Sequence, residues 1–220
     1  MSSKAFIDSI NLKNCTFENM LDENYIVEEV KTVSVFAPDR WLEEFGEKTK
    51  RHLIEAKIIH TSNGSTIPLK RYAASNKVQV IEFAGINGYT SKSNLLKDVL
   101  LELKEKLENS HICRIDIAID MKKIPQSIFK ELQEKRTPYQ IGYTTYYKTE
   151  KEKKTNQQID IKCYNKTVKD KLSYPLERLE FCFKGQYFKK IAFKDIESIF
   201  KKMQKGIKRF SGLEVEIQSL

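Results

Sequence analysis

Arg114-Ile115-Asp116-Ile117-Ala118-Ile119-Asp120 is the stretch that decides the fold. Successive side chains of a β-strand point to opposite faces, so residues two apart share a face. The three isoleucines therefore fall on one side, and Arg114, Asp116, Ala118 and Asp120 on the other. The aliphatic side belongs against a core. The other side carries two carboxylates with only a methyl group between them, which leaves room for a substrate or an ion. Asp116 and Asp120 are about 13 Å apart at a rise near 3.3 Å per residue. A single ion with oxygen ligands at about 2.0–2.6 Å cannot take both directly from a straight strand. One of them is expected as a ligand and the other as its support, with Asp116, nearer the strand centre, preferred.

Two later segments repeat the pattern. In Ile159-Asp160-Ile161-Lys162-Cys163-Tyr164 the apolar members face a core, while Asp160, Lys162 and Tyr164 share the polar side. Asn165-Lys166 follows and brings a cation toward the phenol. A phenol with an ordinary pKa near 10 is a poor nucleophile at neutral pH, so a nearby cation or metal is needed to favour phenolate. In Arg178-Leu179-Glu180-Phe181-Cys182-Phe183-Lys184, the polar side carries Arg178, Glu180, Cys182 and Lys184. Glu180 offers a further carboxylate, and Arg178 a fork that fits a phosphate. Taken singly, each strand reads as half-exposed sheet; together they supply acid, nucleophile, acid and flanking cations.

Around this centre the chain alternates strands and helices. Phe6 to Leu12, Val30 to Phe36, Lys57 to Thr61, Ile67 to Tyr72 and Val78 to Phe83 read as strands, with Asn63-Gly64 a hairpin turn. Asp39 can cap a helix carrying Trp41, Leu42 and Phe45 and running toward Leu53 and Ile54. Ser93 opens the clearest helix, with Leu95, Leu96, Val99, Leu100, Leu103 and Leu107 on one face. Pro125 opens a short helix through Leu132, Lys148 to Gln158 reads as a polar loop, and Lys194 to Arg209 as the last helix. Residues 1–220 read as one domain, the last ~25 residues forming a C-terminal helix and tail. The expected class is α+β, a largely antiparallel sheet flanked by helices in a ferredoxin-like arrangement.

Charge is unevenly shared. From Met121 to Leu220 there are 23 Lys and Arg against 12 Asp and Glu; the first 120 residues hold 16 against 18. A basic half suits contact with a polyanion, since each neutralised phosphate releases condensed counterions. Cys15, Cys113, Cys163 and Cys182 form no CxxC pair and are expected to be reduced. His52, His60 and His111 form no close pair, so a metal would be held mainly by carboxylates. That favours Mg2+ or Mn2+. No run of about 18 apolar residues predicts a membrane span, and Met1 to Phe6 is too polar for a secretory signal. A cytoplasmic protein is the expectation.

The order "FIDSINLK", "VIEFAG", "RIDIAID", "CYNK" and "ERLEFCFK" resembles the replication initiation factor family, initiators of rolling-circle plasmids and some filamentous phages. The resemblance covers roughly Ile7 to Lys184. It implies a rolling-circle-initiator nuclease core and a site-specific endonuclease and strand transferase. Tyr164 would attack a DNA phosphodiester, keep the 5′ phosphate as phosphotyrosine and free a 3′ hydroxyl. Asp116 or Asp120 with Glu180, and Glu82 as a further candidate, would hold the divalent ion. Lys166 and Arg178 would offset transition-state charge. Arg114, Lys162, Tyr146, Tyr147 and Lys148 would contact DNA, and one of Tyr143, Tyr146 and Tyr147 is an alternative to Tyr164. The implied partner is origin DNA, single-stranded or cruciform, with a host helicase, a polymerase and a second copy of the chain as further candidates. Two rival readings stay open: a non-catalytic module for single-stranded nucleic acid, and a mobilisation or transposition enzyme using the same tyrosine chemistry.

Overall fold

In the computed structural model the described residues are 3–13, 25–30, 53–61, 64, 66–72, 79–147 and 157–220. Their strands are β1 (Ser3–Lys13), β2 (Tyr25–Val30), β3 (Leu53–Thr61), β4 (Thr66–Tyr72), β5 (Gln79–Ala84), β6 (His111–Met121), β7 (Tyr139–Ile141), β8 (Thr144–Tyr147), β9 (Gln157–Asn165), β10 (Glu177–Gly185) and β11 (Val215–Gln218). They form one sheet in the order β2-β3-β4-β5-β1-β6-β10-β9-β8-β7. Every neighbouring pair in that order is antiparallel. β11 adds in parallel along Ser3–Phe6, on the half of β1 that β5 leaves open. The architecture is α+β, a mostly antiparallel sheet with flanking helices.

The aliphatic face expected from the opening stretch is the core face. Ile115, Ile117 and Ile119 join Ile159, Ile161 and Cys163, Leu179, Phe181 and Phe183, and Ile7, Ile10 and Leu12 in a single buried cluster. Helices α1 (Ser91–Glu102), α2 (Lys104–Leu107), α3 (Gln126–Lys135) and α5 (Phe200–Ser211) complete it, while the short α4 (Lys166–Asp170) contributes no member. Met203 and Ile207 of α5 belong to the cluster. A Cβ at Gly206 would lie 3.1 Å from both Ile159 Cδ1 and Phe183 Cε1, so α5 rests directly on β9 and β10. Arg136, just past α3, donates to the carbonyls of Tyr147 and Ile159 and thereby fixes α3 to β8 and β9.

Several boundaries differ from expectation for local reasons. Helix α1 starts at Ser91 because Thr90 is its cap, its Oγ1 accepting the Ser93 N–H at 3.3 Å. It breaks at Leu103 before the short turn α2. The last helix is preceded by a 3-10 segment, Phe193–Ile199, so α-helical geometry begins only at Phe200. The expected tail is a strand, β11. Leu53 and Ile54, expected at a helix end, begin β3. Asp39, Trp41, Leu42 and Phe45 lie outside the described residues, as do Asn63, Lys148 and most of the expected strand Val30 to Phe36. Two short strands, β7 and β8, stand where sequence reading saw only a row of tyrosines. Among the described residues no helix is long and apolar enough to cross a membrane.

Candidate active site

Strand register arranges the polar face in rows. Pairings across β1, β6, β10 and β9 give Asn11–Arg114–Lys184–Gln158, then Ser9–Asp116–Cys182–Asp160. The third row is Phe6–Ala118–Glu180–Lys162–Tyr146–Tyr139, reaching β8 and β7. The fourth is Asp120–Arg178–Tyr164–Thr144–Ile141. Glu82 of β5 lies opposite Asn11 and so extends the first row. The polar residues expected on β6, β9 and β10 are therefore neighbours on one face, although they come from segments up to 70 residues apart.

Glu180 and Tyr164 meet at the centre. The Tyr164 hydroxyl donates to Glu180 Oε2 at 3.1 Å, and the Lys162 ammonium donates to Glu180 Oε1. Tyr164 is 7% exposed. Burial, and then the charge of Glu180, push its phenol well above the usual range. Burial also raises the Glu180 carboxyl, against the pull of Lys162, so Glu180 has a heightened affinity for a proton. Asp116 behaves oppositely. Burial works against its charge, but the Arg114 guanidinium beside it, at 2.8 and 2.5 Å, holds its carboxyl well below the usual carboxylate range. The Lys162 ammonium lies 3.5 Å from Asp116 as well, and bridges the two acids.

Arg178 is 0% exposed. Its Nε and Nη2 donate to both oxygens of Asp120 at 2.7 and 2.8 Å, Nη1 to Asp8 at 2.6 Å, and Nη2 also to the Asn87 carbonyl at 3.1 Å. Instead of projecting to a phosphate, it clamps β1, β6 and the turn before α1 against the end of β10. Asp8 reaches it because a register irregularity between Ile7 and Ser9 interrupts the alternation of β1. Lys166, also buried, pairs with Asp170 at 2.7 Å and does not meet the phenol. Lys169 does: its ammonium lies 4.6 Å from the centre of the Tyr164 ring. Burial, and then the charge of Lys166, lower its proton affinity.

The aromatic candidates separate. Tyr147, opposite Ile161, is core. Tyr146, opposite Lys162, is half-buried on the polar face and stacks on Tyr139 with centroids 5.2 Å apart. Tyr143 is 78% exposed at the β7–β8 turn. Sequence reading missed Asp8, Asn87, Tyr89 and Lys169; only the long-range return of the chain brings them to this face.

The carboxylates do not assemble as a metal cage. Asp116 and Glu180 are engaged by Arg114 and Lys162, and Asp120 and Asp8 by Arg178. Glu82 lies a row away and contributes to the charge around Arg114. Among the described residues no group of three or more His, Cys, Asp or Glu is placed to hold a metal ion. A hard divalent cation needs several oxygens turned toward one point, and here those oxygens turn to guanidinium and ammonium groups. This arrangement does not fit the expected Mg2+ or Mn2+.

No protein-family model matches the chain, and no curated protein matches it. Among solved structures it is similar to a rolling circle replication initiator protein from Geobacillus stearothermophilus, at 13% identity and a TM-score of 0.46. The likeness covers 94% of this chain and 85% of that one.

Proposed function

We propose that this chain nicks and rejoins one strand of DNA at an origin through a tyrosine-linked intermediate, and so initiates rolling-circle replication. The observation that carries the reading is the Tyr164–Glu180 hydrogen bond, 3.1 Å long, on a polar face crowded with cations. A weak nucleophile within hydrogen-bond reach of a base is the arrangement covalent catalysis requires. Burial raises the proton affinity of Glu180, which suits it to accept the phenol's proton.

In the proposed step the phenolic oxygen attacks phosphorus as its proton passes to Glu180. The bond from phosphorus to the 3′ oxygen breaks, the 5′ phosphate stays on Tyr164, and the departing 3′ oxygen takes a proton from Lys169. Its lowered proton affinity suits Lys169 to give up that proton. Reversal restores both protons and reseals the strand. Lys162 holds Glu180 in place, and Arg178 offsets the charges of Asp120 and Asp8.

The order of motifs supports the replication reading over mobilisation, and the acid–phenol pair supports catalysis over simple binding. The experiment incubates the chain with a pool of 3′-labelled single-stranded oligonucleotides, in EDTA and in manganese, and seeks a labelled band that survives denaturing electrophoresis. Wild type should form it and Tyr164→Phe should not. An adduct retained by Tyr164→Phe but lost in Tyr146→Phe moves the nucleophile to β8. Failure of wild type to form any adduct with such a pool or with its own replicon's DNA supports the binding-module reading instead.

A further inference from the structure

Two pairs of tyrosines stand on either side of Tyr164. On one side Tyr139 and Tyr146 are stacked nearly parallel, 15° between planes, at the end of the row that contains Glu180 and Lys162. On the other, Tyr89 and Tyr174 meet edge to face, centroids 6.3 Å apart. Both rings of this second pair are open to solvent, 43% and 46% exposed. The Tyr89 hydroxyl donates to Asp120 Oδ2 at 2.7 Å, which holds that ring beside the row containing Arg178 and Tyr164.

We infer that these pairs are two base-stacking steps that stretch an unpaired nucleic-acid strand across Tyr164, at right angles to the β-strands. The inference rests on the nicking reading and adds to it the path of the substrate. From β6, where Asp120 holds Tyr89, to β8, where Tyr146 stands, the path crosses β10 and β9. That is three strand spacings, about 14 Å at 4.7–4.9 Å each, a span of a few nucleotides. Lys162 and Lys169 lie between the pairs and make the path between them cationic, and aromatic rings accept any base. Duplex DNA cannot use such steps, because its base faces are already stacked on one another. Tyr147 provides the contrast within one strand: next to Tyr146 in sequence, it points into the core and can stack on nothing outside.

The test uses the full chain carrying Tyr164→Phe, so that nothing is cleaved, with a fluorescein-labelled single-stranded 12-mer and the matching duplex. Tyr146→Ala and Tyr89→Ala should each weaken single-strand binding by roughly five- to hundredfold, the loss of one stacked base. Tyr146→Phe should stay within about twofold, and duplex binding should not change. Circular dichroism checks that each variant is folded. A second readout needs no alanine variant: 2-aminopurine at two positions of the 12-mer should be quenched on binding, as stacking demands. Unchanged affinity of folded alanine variants, or unquenched 2-aminopurine in the parent, overturns the inference. If wild type forms its adduct while stacking is absent, this inference alone falls. If stacking is present and no adduct ever forms, the nicking reading alone falls.

Discussion

Replacing Arg178 with methionine separates a buried clamp from a phosphate contact. The side chain makes four hydrogen bonds, two to Asp120, one to Asp8 and one to the Asn87 carbonyl, and none of its surface reaches solvent. Methionine fills much of the same volume but leaves two largely buried carboxylates without their cation. Deleting one partner of a buried ion pair costs about 3–5 kcal/mol, a large share of the roughly 5–15 kcal/mol that holds a domain together. With a urea slope of about 2–3 kcal/mol per molar, the unfolding midpoint should fall by roughly 1–2.5 M. Lysine keeps the charge but lacks the planar fork, so Arg178→Lys should fall between methionine and wild type. Adding Asp8→Asn and Asp120→Asn to Arg178→Met removes the orphaned charges and should recover part of the loss. Urea unfolding followed by circular dichroism at pH 7 gives all four midpoints. A methionine variant that unfolds within about 0.3 M of wild type, yet binds DNA more weakly, would refute the clamp and return Arg178 to the phosphate.

Other consequences follow from the same face. Asp116 has a folded pKa held below its unfolded value near 3.9, so its stabilisation is complete above that value and is lost as pH falls toward the folded one. Asp116→Asn should therefore cost about 1–3 kcal/mol at pH 7 and clearly less at pH 3, read from urea midpoints; an equal cost at both would contradict the sign. Burial pushes the Cys163 and Cys182 thiols up to about 12, so neither should contribute to the fast phase of reaction with a thiol reagent at pH 8. Serine at each position should leave the fast phase unchanged in the folded protein. Glu180→Gln should lower adduct formation by about 100-fold or more while single-strand affinity stays within a few-fold; equal adduct yields would remove Glu180 as the base.

The three polar strands were legible because a strand's side-chain period is two and one face of each is apolar. Ile115, Ile117 and Ile119 announce both the core and the site by elimination, and helix α1 was legible from the spacing of Leu96, Val99 and Leu100. What the polar groups do to one another was not legible. Arg178 looked like a surface cation until its partner 170 residues earlier, Asp8, came into view across the sheet. No local pattern encodes that meeting, and the irregular register of β1 that turns Asp8 toward Arg178 is set by pairing with β6. Tyr146 and Tyr147 are adjacent and chemically identical, yet pairing with β9 sends one to the site and the other to the core. Lys169 rather than Lys166 lies over the phenol because the Asn165 side chain caps α4 and the short helix folds back over Tyr164.

Locating the covalent bond tests the central claim most directly. The wild-type adduct would be digested with protease and nuclease, and the peptide carrying a nucleotide 5′ phosphate sequenced by mass spectrometry. The added mass is expected on Tyr164. The same mass on Tyr146, on any other residue, or on none in a protein that still cuts the strand would contradict it.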